Sequence, residues 1–557
     1  MRLSIRSFLL LLGSVSVLTA CSQDLAVTNP NNADITRALA RPGDIENLLA
    51  GGFNQVVQNT TGGSVDALQS SFQVMGLENY TGLANFNMGP RAGLPRTPIL
   101  NFANNPGSAG VANDFNGLSR LSRSTTLALE RLSEPGFTFG TPAQDMRARA
   151  YGRFVLGLTL GNLSLAYDSA AVVVPGGDAV PPLVAYDSVH RAAIKLLDDA
   201  LADAANPIAA GTGGFPLPIT WLNLSSGAVS ATQFQQIIRS YRARLRASVA
   251  RTPAERTAVN WALVLADAQA GITADLQIVM NATTGWTQAW VIQHYVGSNW
   301  HVMTPFIIGM ADTTTAYTSW LNEPLLNRTP FLIRTPDKRF PAGETRLAQN
   351  TTSGGGTAGS VLPPALYFRN RVAANDGGAA DGTWGFSWYD HARFQTFQNN
   401  NRIGNYLHMT TAEMNGLIAE AAIRTGDFAL AATAIDRTRV SRGGLPPLVG
   451  AGLTSLTQEV PGGNACVPRI PVRTGTTYTT RCGNIFEAMK WEKRMEMAYI
   501  NYGAWYFDMR GWGDLPEGTP IHFPVPWQEQ NVRIGKPSNV GGVGQPGGTA
   551  RGTYGFP

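Results

Sequence analysis

Apolar positions recur at helical spacing through most of the chain, then lose that spacing over a long middle stretch. Ile45, Leu48, Leu49, Phe53, Val56 and Val57 line one face and predict a first helix over 42–58, with Asp44 and Glu46 in its first turn where the helix dipole favours them. Further helices are expected over 116–132 and 141–166, the second opened by Thr141-Pro142, a capping hydroxyl followed by proline at the first helical position. Val189, Ala193, Leu196, Leu197, Ala200 and Leu201 predict a helix over 186–205. Another covers 231–250, and Thr252-Pro253-Ala254-Glu255 opens one running to about 270. From 78 to 105 no period is sustained, and the segment reads as an ordered excursion. Over 275–410 glycine, threonine, asparagine and aromatics replace the helical pattern, and 351–360 (TTSGGGTAGS) reads as a mobile loop. Helices return over 411–424 and 428–441, joined by Thr425-Gly426-Asp427. Ala419, Ala422, Ala431, Ala432 and Ala434 let these two approach closely, as in a tetratricopeptide pair. A last helix opens at Asn484, with Glu487 completing a capping box, and Gly503 is its expected stop. An aromatic segment, Trp505 to Arg510, follows. The expected fold is mostly α: tetratricopeptide-like helix pairs in a scaffold with large irregular loop insertions. The pairs 141–166 with 186–205 and 231–250 with 253–270 are looser, and no clean solenoid period emerges.

Composition narrows the class. Charged residues make up 15% of the 557, and the formal net charge is +5. Lysine occurs only at Lys195, Lys338, Lys490, Lys493 and Lys536, and the arginines are scattered, so no basic cluster supports nucleic-acid binding. At the N-terminus, Arg2 and Arg6 precede an apolar run over 8–18 that is too short for a permanent membrane span. Leu18-Thr19-Ala20-Cys21 then resembles a bacterial lipobox. That likeness implies a signal peptide over 1–20, a lipid anchor on Cys21 and a tether over 21–41. With Ser22 rather than aspartate after the cysteine, it implies the outer membrane. Cys466 and Cys482 remain. A disulfide is the favoured reading, and a pair of metal thiolates is the other, without a C-x-x-C spacing or a nearby histidine to support it. A bridge closing a loop of about 15 residues contributes about 3 kcal/mol on the chain-entropy estimate.

Four pieces of the chain resemble the SusD/RagB family of outer-membrane nutrient-binding lipoproteins. They are the lipobox followed by DLAVTNPN, the helix with GDIENLLAGGFNQ, the pair AEMNGLIAEAAIRTGDFALAATAIDRTRVSRGGLP, and the tail EAMKWEKRMEMAYINYGAWYFDMRGWG closing on His522-Phe523-Pro524-Val525-Pro526. In the tail, Glu492-Lys493-Arg494 stands where the family carries a simple Glu-Arg, while Asp508 and Arg510 match. Residues 60–110 and 275–400 do not match in detail. The resemblance implies one SusD-like domain over 42–557, its helical scaffold over about 42–274 and 411–527 and its insertion over 275–410. It also implies a lid on a TonB-dependent transporter barrel that captures oligosaccharides, less often peptides, at the cell exterior, without catalysis or a cofactor.

Sugar binding needs flat rings for C–H faces and polar groups for hydroxyls. Trp286, Trp290, Trp300, Trp320, Trp384 and Trp388, half of the twelve tryptophans, fall in the insertion and are the candidate platform. Tyr317, Tyr295 and Tyr389 are second choices, and His294, His301 and His391 lie among them. Asn85, Phe86 and Arg91, with Asn87, are a candidate opposing wall. Asp376 and Asp381 could hold Ca²⁺, but a flexible glycine loop explains them better. Glu492, Arg494, Glu496, Asp508 and Arg510 could line a cleft, but charges this close to aromatic bulk fit a structural ion network better. No catalytic motif of the hydrolase, metalloprotease or nucleotide-binding kind occurs. A surface glycan hydrolase, which needs only two carboxylates, is the alternative function, as is a peptide-binding role on the same fold.

Overall fold

The computed structural model describes residues 41–61, 68–81, 88–105, 108–174, 180–287, 302–357, 359–375 and 384–557. The periodic segments are helices, and the departures fall where a local group interrupts them. The helix expected over 42–58 is two, α1 (Pro42–Ala50) and α2 (Gly52–Thr61), broken at Gly51. A Cβ on Gly52 would stand 2.8 Å from Val155 Cγ1, so the glycine lets α2 seat directly on a later helix. After α3 (Leu68–Met75), α4 (Ser108–Arg131) begins eight residues before its expected start. α5 (Pro142–Ala166) starts as expected, with Thr141 Oγ1 accepting from the Gln144 amide at 3.2 Å. α6 (Tyr186–Ala205) and α7 (Ala231–Ser248) follow, α7 behind a Ser230/Gln233 capping box. The run expected over 253–270 splits into α8 (Pro253–Ala258) and α9 (Trp261–Gln269). Asn260 caps a new start there, accepting from the Leu263 amide at 3.2 Å.

α10 (Thr411–Thr425) and α11 (Phe428–Arg439) form the expected pair, turning through Gly426 at φ 85° and capped by Asp427. The Asn484/Glu487 capping box opens α12 (Ile485–Met497). This helix ends short of Gly503, and the aromatic segment is itself a helix, α13 (Ala504–Trp512), which Gly503 opens at φ 77°. Alternating bulk and charge hid that period.

Each long helix packs on the next: α4 on α5, α5 on α6, α6 on α7, α7 on α9, α9 on α10, and α10 on both α11 and α12. Glycines of α5 set two of these approaches and a third, to α7. A Cβ would fall 2.8 Å from Leu129 Cδ2 of α4 at Gly152, 2.8 Å from Leu197 Cγ of α6 at Gly157, and 2.6 Å from Leu245 Cδ1 of α7 at Gly161. Gly157→Ala should therefore cost about 1–3 kcal/mol of stability despite its better helix propensity, because overpacking in a filled core outweighs the propensity gain of about 1 kcal/mol. Urea titration checks this, and an unchanged or raised midpoint would show that the α5–α6 contact has slack.

The strands are short. β1 (Ser169–Ala171) pairs with β2 (Leu183–Ala185). β3 (Leu276–Met280) pairs antiparallel with a strand more than a hundred residues on, so the two ends of the aromatic stretch are zipped together on the scaffold. Within that stretch β4 (Phe368–Asn370) pairs with β5 (Tyr389–His391), and β6 (Gly404–Met409) is the partner of β3. The expected loop at 351–360 starts as the end of a helix, Arg346–Thr352. Ser353 is buried, its Oγ accepting from the Asn370 amide at 3.2 Å. β7 (Arg469–Thr474) and β8 (Thr477–Cys482) make a hairpin, and Cys482 at its end forms a disulfide with Cys466, just before β7. Among the described residues no helix is long and apolar enough to cross a membrane.

Candidate ligand-binding surface

The aromatic residues of the stretch divide by burial. Trp286, Trp320 and Tyr317 were expected to face a ligand, and the structure corrects this: all three are buried. Trp286 lies against Phe53 of α2, ring centroids 6.3 Å apart, with its backbone bonded to Asn281. Tyr317 and Trp320 sit in one ring stack with Phe306 and Phe331. The Tyr317 hydroxyl donates to the Phe306 carbonyl at 2.9 Å, and the Arg328 guanidinium lies 4.5 Å over Trp320. A stretch without long amphipathic helices has to build its interior from such rings. Tyr389 is buried too, its hydroxyl donating to Gln349 Oε1 at 2.6 Å. His391 is enclosed by Tyr367, Phe368, Phe394 and Tyr499, and burial holds its imidazole well below its usual pKa. Arg91, expected on a binding wall, is also buried. It donates to Ser71 Oγ and lies 5.4 Å over the Phe523 ring.

Trp384 and Trp388 are half-buried and keep part of their surface. Trp384 stands edge-on to Tyr80, centroids 5.0 Å apart, and to Phe306 at 6.0 Å. Arg346 lies 4.6 Å over Trp388 while its Nε and Nη2 donate to the Arg371 carbonyl, so ring and guanidinium form one amphipathic platform. Asn85, Phe86, Trp290, Trp300, Tyr295, His294, His301, Asn87, Asp376, Asp381 and Cys21 lie outside the described residues. The described flanks of those segments nevertheless meet. Tyr80 and Val302 exchange backbone hydrogen bonds at 2.8 and 3.1 Å, and Tyr80, Met88, Val302 and Phe386 form one apolar cluster with Trp384 packed on it. A Cβ on Gly385 would fall 2.4 Å from Tyr80 Cδ2, so the Tyr80 ring rests on the bare backbone beside Trp384.

The charges of the closing block are structural. Arg256 of α8 reaches Glu420 of α10 at 2.9 and 2.5 Å and Asp508 of α13 at 3.0 Å. Lys493 of α12 joins Asp508 at 2.8 Å. Arg339 binds Glu492 twice at 2.8 Å, Asp337 at 2.7 and 2.9 Å, and Glu496 at 3.3 Å. Arg494 joins Asp514 at 3.2 Å. Among the described residues Arg510 meets no carboxylate and donates instead to the carbonyls of Leu165, Ser248 and Ile521. Burial alone would raise the Glu420 carboxyl, but Arg256, with Lys493 and Arg424 behind it, brings it down to about 2. Arg256 and Arg339, the hubs, were missed in the sequence. Only the α8 capping box marked the neighbourhood of the first, and nothing marked the second.

No family model matches the chain, and no curated sequence does. Solved structures do. A SusD superfamily protein from Parabacteroides distasonis aligns over 89% of this chain and 98% of its own, at 11% identity and a TM-score of 0.55. One from Bacteroides vulgatus aligns over 90% and 99%, at 12% identity and 0.52. A SusD homologue from P. distasonis aligns over 88% and 93%, at 11% identity and 0.53. The fold is SusD-like.

Within this SusD-like fold, grooves open between scaffold helices among the described residues, and three of them are lined by no tryptophan. One of about 540 Å³ lies between α6, α7 and α8, and one of about 630 Å³ between α4, α5 and α6. Both mix acids and bases at their rims. The third, of about 520 Å³, lies between α9, α10 and α11 and differs in its chemistry. Among the described residues no group of three or more histidine, cysteine, aspartate or glutamate side chains is placed to hold a metal ion.

Proposed function

We propose that this protein is a surface binding protein that captures oligosaccharides and hands them to a TonB-dependent outer-membrane transporter, held to the membrane by lipid on Cys21. The observation that carries the reading is the SusD-like fold across nearly the whole length of its P. distasonis counterpart. The half-buried rings at Trp384 and Trp388 support it, since a pyranose needs a flat apolar face with hydrogen-bonding groups at its edge. In this reading the protein binds and does not cleave.

A glycan-array screen of the mature protein, followed by calorimetry on the best oligosaccharide, tests the ligand. Trp384→Ala and Trp388→Ala should each weaken binding about 2- to 10-fold, the worth of one stacked ring, with urea midpoints reported alongside. Pull-down in mild detergent should bring a large β-barrel protein with it. Release of reducing ends from the bound oligosaccharide would replace the reading with a surface glycan hydrolase. A screen in which only peptides bind would redirect it to peptide capture.

A further inference from the structure

We propose that the groove between α9, α10 and α11 is a second binding site, separate from the tryptophan face, which takes a short peptide through a free carboxylate. Its floor is aliphatic, formed by Ile272, Met414, Ile418 and Leu430. Its rim carries Arg437 and Arg442, both exposed, with Gln269, Asn415 and Thr433. No aspartate or glutamate lines it, whereas the neighbouring grooves carry Asp187, Asp198 and Glu255 in one and Glu130, Glu134 and Asp199 in the other. The carboxylates that act on Arg442 are already engaged. Asp275 accepts from the Thr411 amide and hydroxyl at 2.8 and 2.9 Å, and Glu496 is shared among Arg339, Tyr367 and Arg442. The groove is therefore a cationic mouth over an apolar floor.

Side-chain geometry is partly preset for an anion. Arg437 Nη1 donates to Asn415 Oδ1 at 3.1 Å, which holds the guanidinium across the groove with its other donors available. Arg442 is anchored at its inner end by the Tyr367 hydroxyl, 3.0 Å away, yet its side chain stays 41% exposed. The remaining donors of Arg437, with the exposed end of Arg442 on the same rim, suit a carboxylate even though Arg442 Nη1 already pairs with Glu496 at 3.6 Å. The floor decides between ligand classes. No aromatic ring lines the groove, so a sugar has no stacking face, while an aliphatic side chain fits and the Gln269 and Asn415 amides can meet peptide carbonyls.

The test uses a fluorescein-labelled hexapeptide of alanine and leucine with a free C-terminal carboxylate, and its amidated twin. Fluorescence anisotropy with the full mature chain should show saturable binding of the free acid that weakens as salt rises, and at least about tenfold weaker binding of the amide. Arg437→Ala should lose about tenfold, the equivalent of one charge-assisted hydrogen bond, and Arg437→Lys less, because the fork is lost and the charge kept. Thr433→Trp should block the groove with both arginines intact. Arg191→Ala, in a neighbouring groove, should bind as wild type. Arg437 is exposed and bonded to Asn415, and its replacement leaves the core network untouched. Equal binding of acid and amide, wild-type affinity in Arg437→Ala, or no saturable binding by the wild-type protein would each overturn the proposal. None of these outcomes bears on the tryptophan face.

Discussion

Arg339→Met should remove about 3–5 kcal/mol of folding stability, the largest effect expected of any single substitution in the closing network. Arg339 is fully buried and its five hydrogen bonds to carboxylates serve Asp337, Glu492 and Glu496. Methionine fills much of the volume but leaves those carboxylates in a low-dielectric interior. Among the described residues Thr438 then remains as the direct donor to Glu492, while Asp337 keeps Trp491 Nε1 and the backbone amide of residue 339. Glu496 is less exposed to the loss, because Tyr367, Arg393 and Arg442 also face it. The change would appear in urea titration as a lower midpoint at unchanged slope. Arg339→Met combined with Glu492→Met should recover part of the loss, since an apolar pair removes both the charge and its missing partner. A single-variant loss under about 1 kcal/mol would mean that the arginine does not clamp α12 to the scaffold.

Stability should also fall by about 1 kcal/mol as pH rises from about 6.5 to 8, and Glu78→Gln should abolish that fall. Glu78 accepts the Tyr499 amide at 2.6 Å and Gln73 Nε2 at 3.5 Å. Burial pushes its carboxyl from 4.5 up to about 8. Asp114 accepts the Tyr502 hydroxyl at 2.7 Å and the Leu68 amide at 3.2 Å, and burial pushes it from 3.8 up to about 7. Both hold their proton in the folded chain at pH values where the unfolded chain has lost it. Their contribution is therefore complete below the unfolded values and lost as pH climbs through the folded ones. Four histidines act in the opposite sense: burial depresses His190 and His522 to about 4 and His408 to about 3, and holds His391 well below its usual value. Their contribution is present above about 6.5 and lost on acidification, which masks the carboxyls below that pH. Above it the last part of the histidine gain, complete by about pH 7.5, offsets some of the carboxyl loss. Urea midpoints across this range, wild type against Glu78→Gln, decide the matter. A flat wild-type profile from 6.5 to 8 would contradict the assignment.

The two carboxyls join segments far apart in sequence, and that distance explains what sequence reading could reach. Capping signals are local, so Thr141, Thr252, Asp427 and the Asn484/Glu487 box each mark a helix start that the structure contains. The break at Gly51 and the Asn260 restart were readable in principle, since glycine and a capping side chain are local too, but apolar periodicity ran across them. The closing charges were correctly assigned to structure, because Glu492, Glu496 and Asp508 sit beside bulky rings. Their cationic partners could not be named, because Arg256 and Arg339 lie more than a hundred residues away and look like any other scattered arginine. Trp286, Trp320 and Tyr317 were placed on the wrong side for a related reason. A tryptophan in an aperiodic stretch carries no sign of which way it faces. The contacts with Phe53, Phe306 and Phe331 that bury these rings come from outside the local pattern.

By itself, then, the sequence determined the helical class, the positions of most helix starts, the pairing of α10 with α11 through small residues, and the resemblance that leads to a SusD-like fold. These rest on spacing of 3.6 residues and on hydrogen bonds that reach three or four positions, which the order of residues specifies directly. Tertiary structure alone decided which rings are spent on the core and which, at Trp384 and Trp388, keep an exposed edge. It also decided that β3 and β6 zip the insertion shut, that Gly157 and Gly161 serve as contact points, and that one groove is cationic and its neighbours are not. Each of these depends on a partner from another part of the chain. Burial and net local charge are sums over neighbours in space, and the linear order does not contain those neighbours.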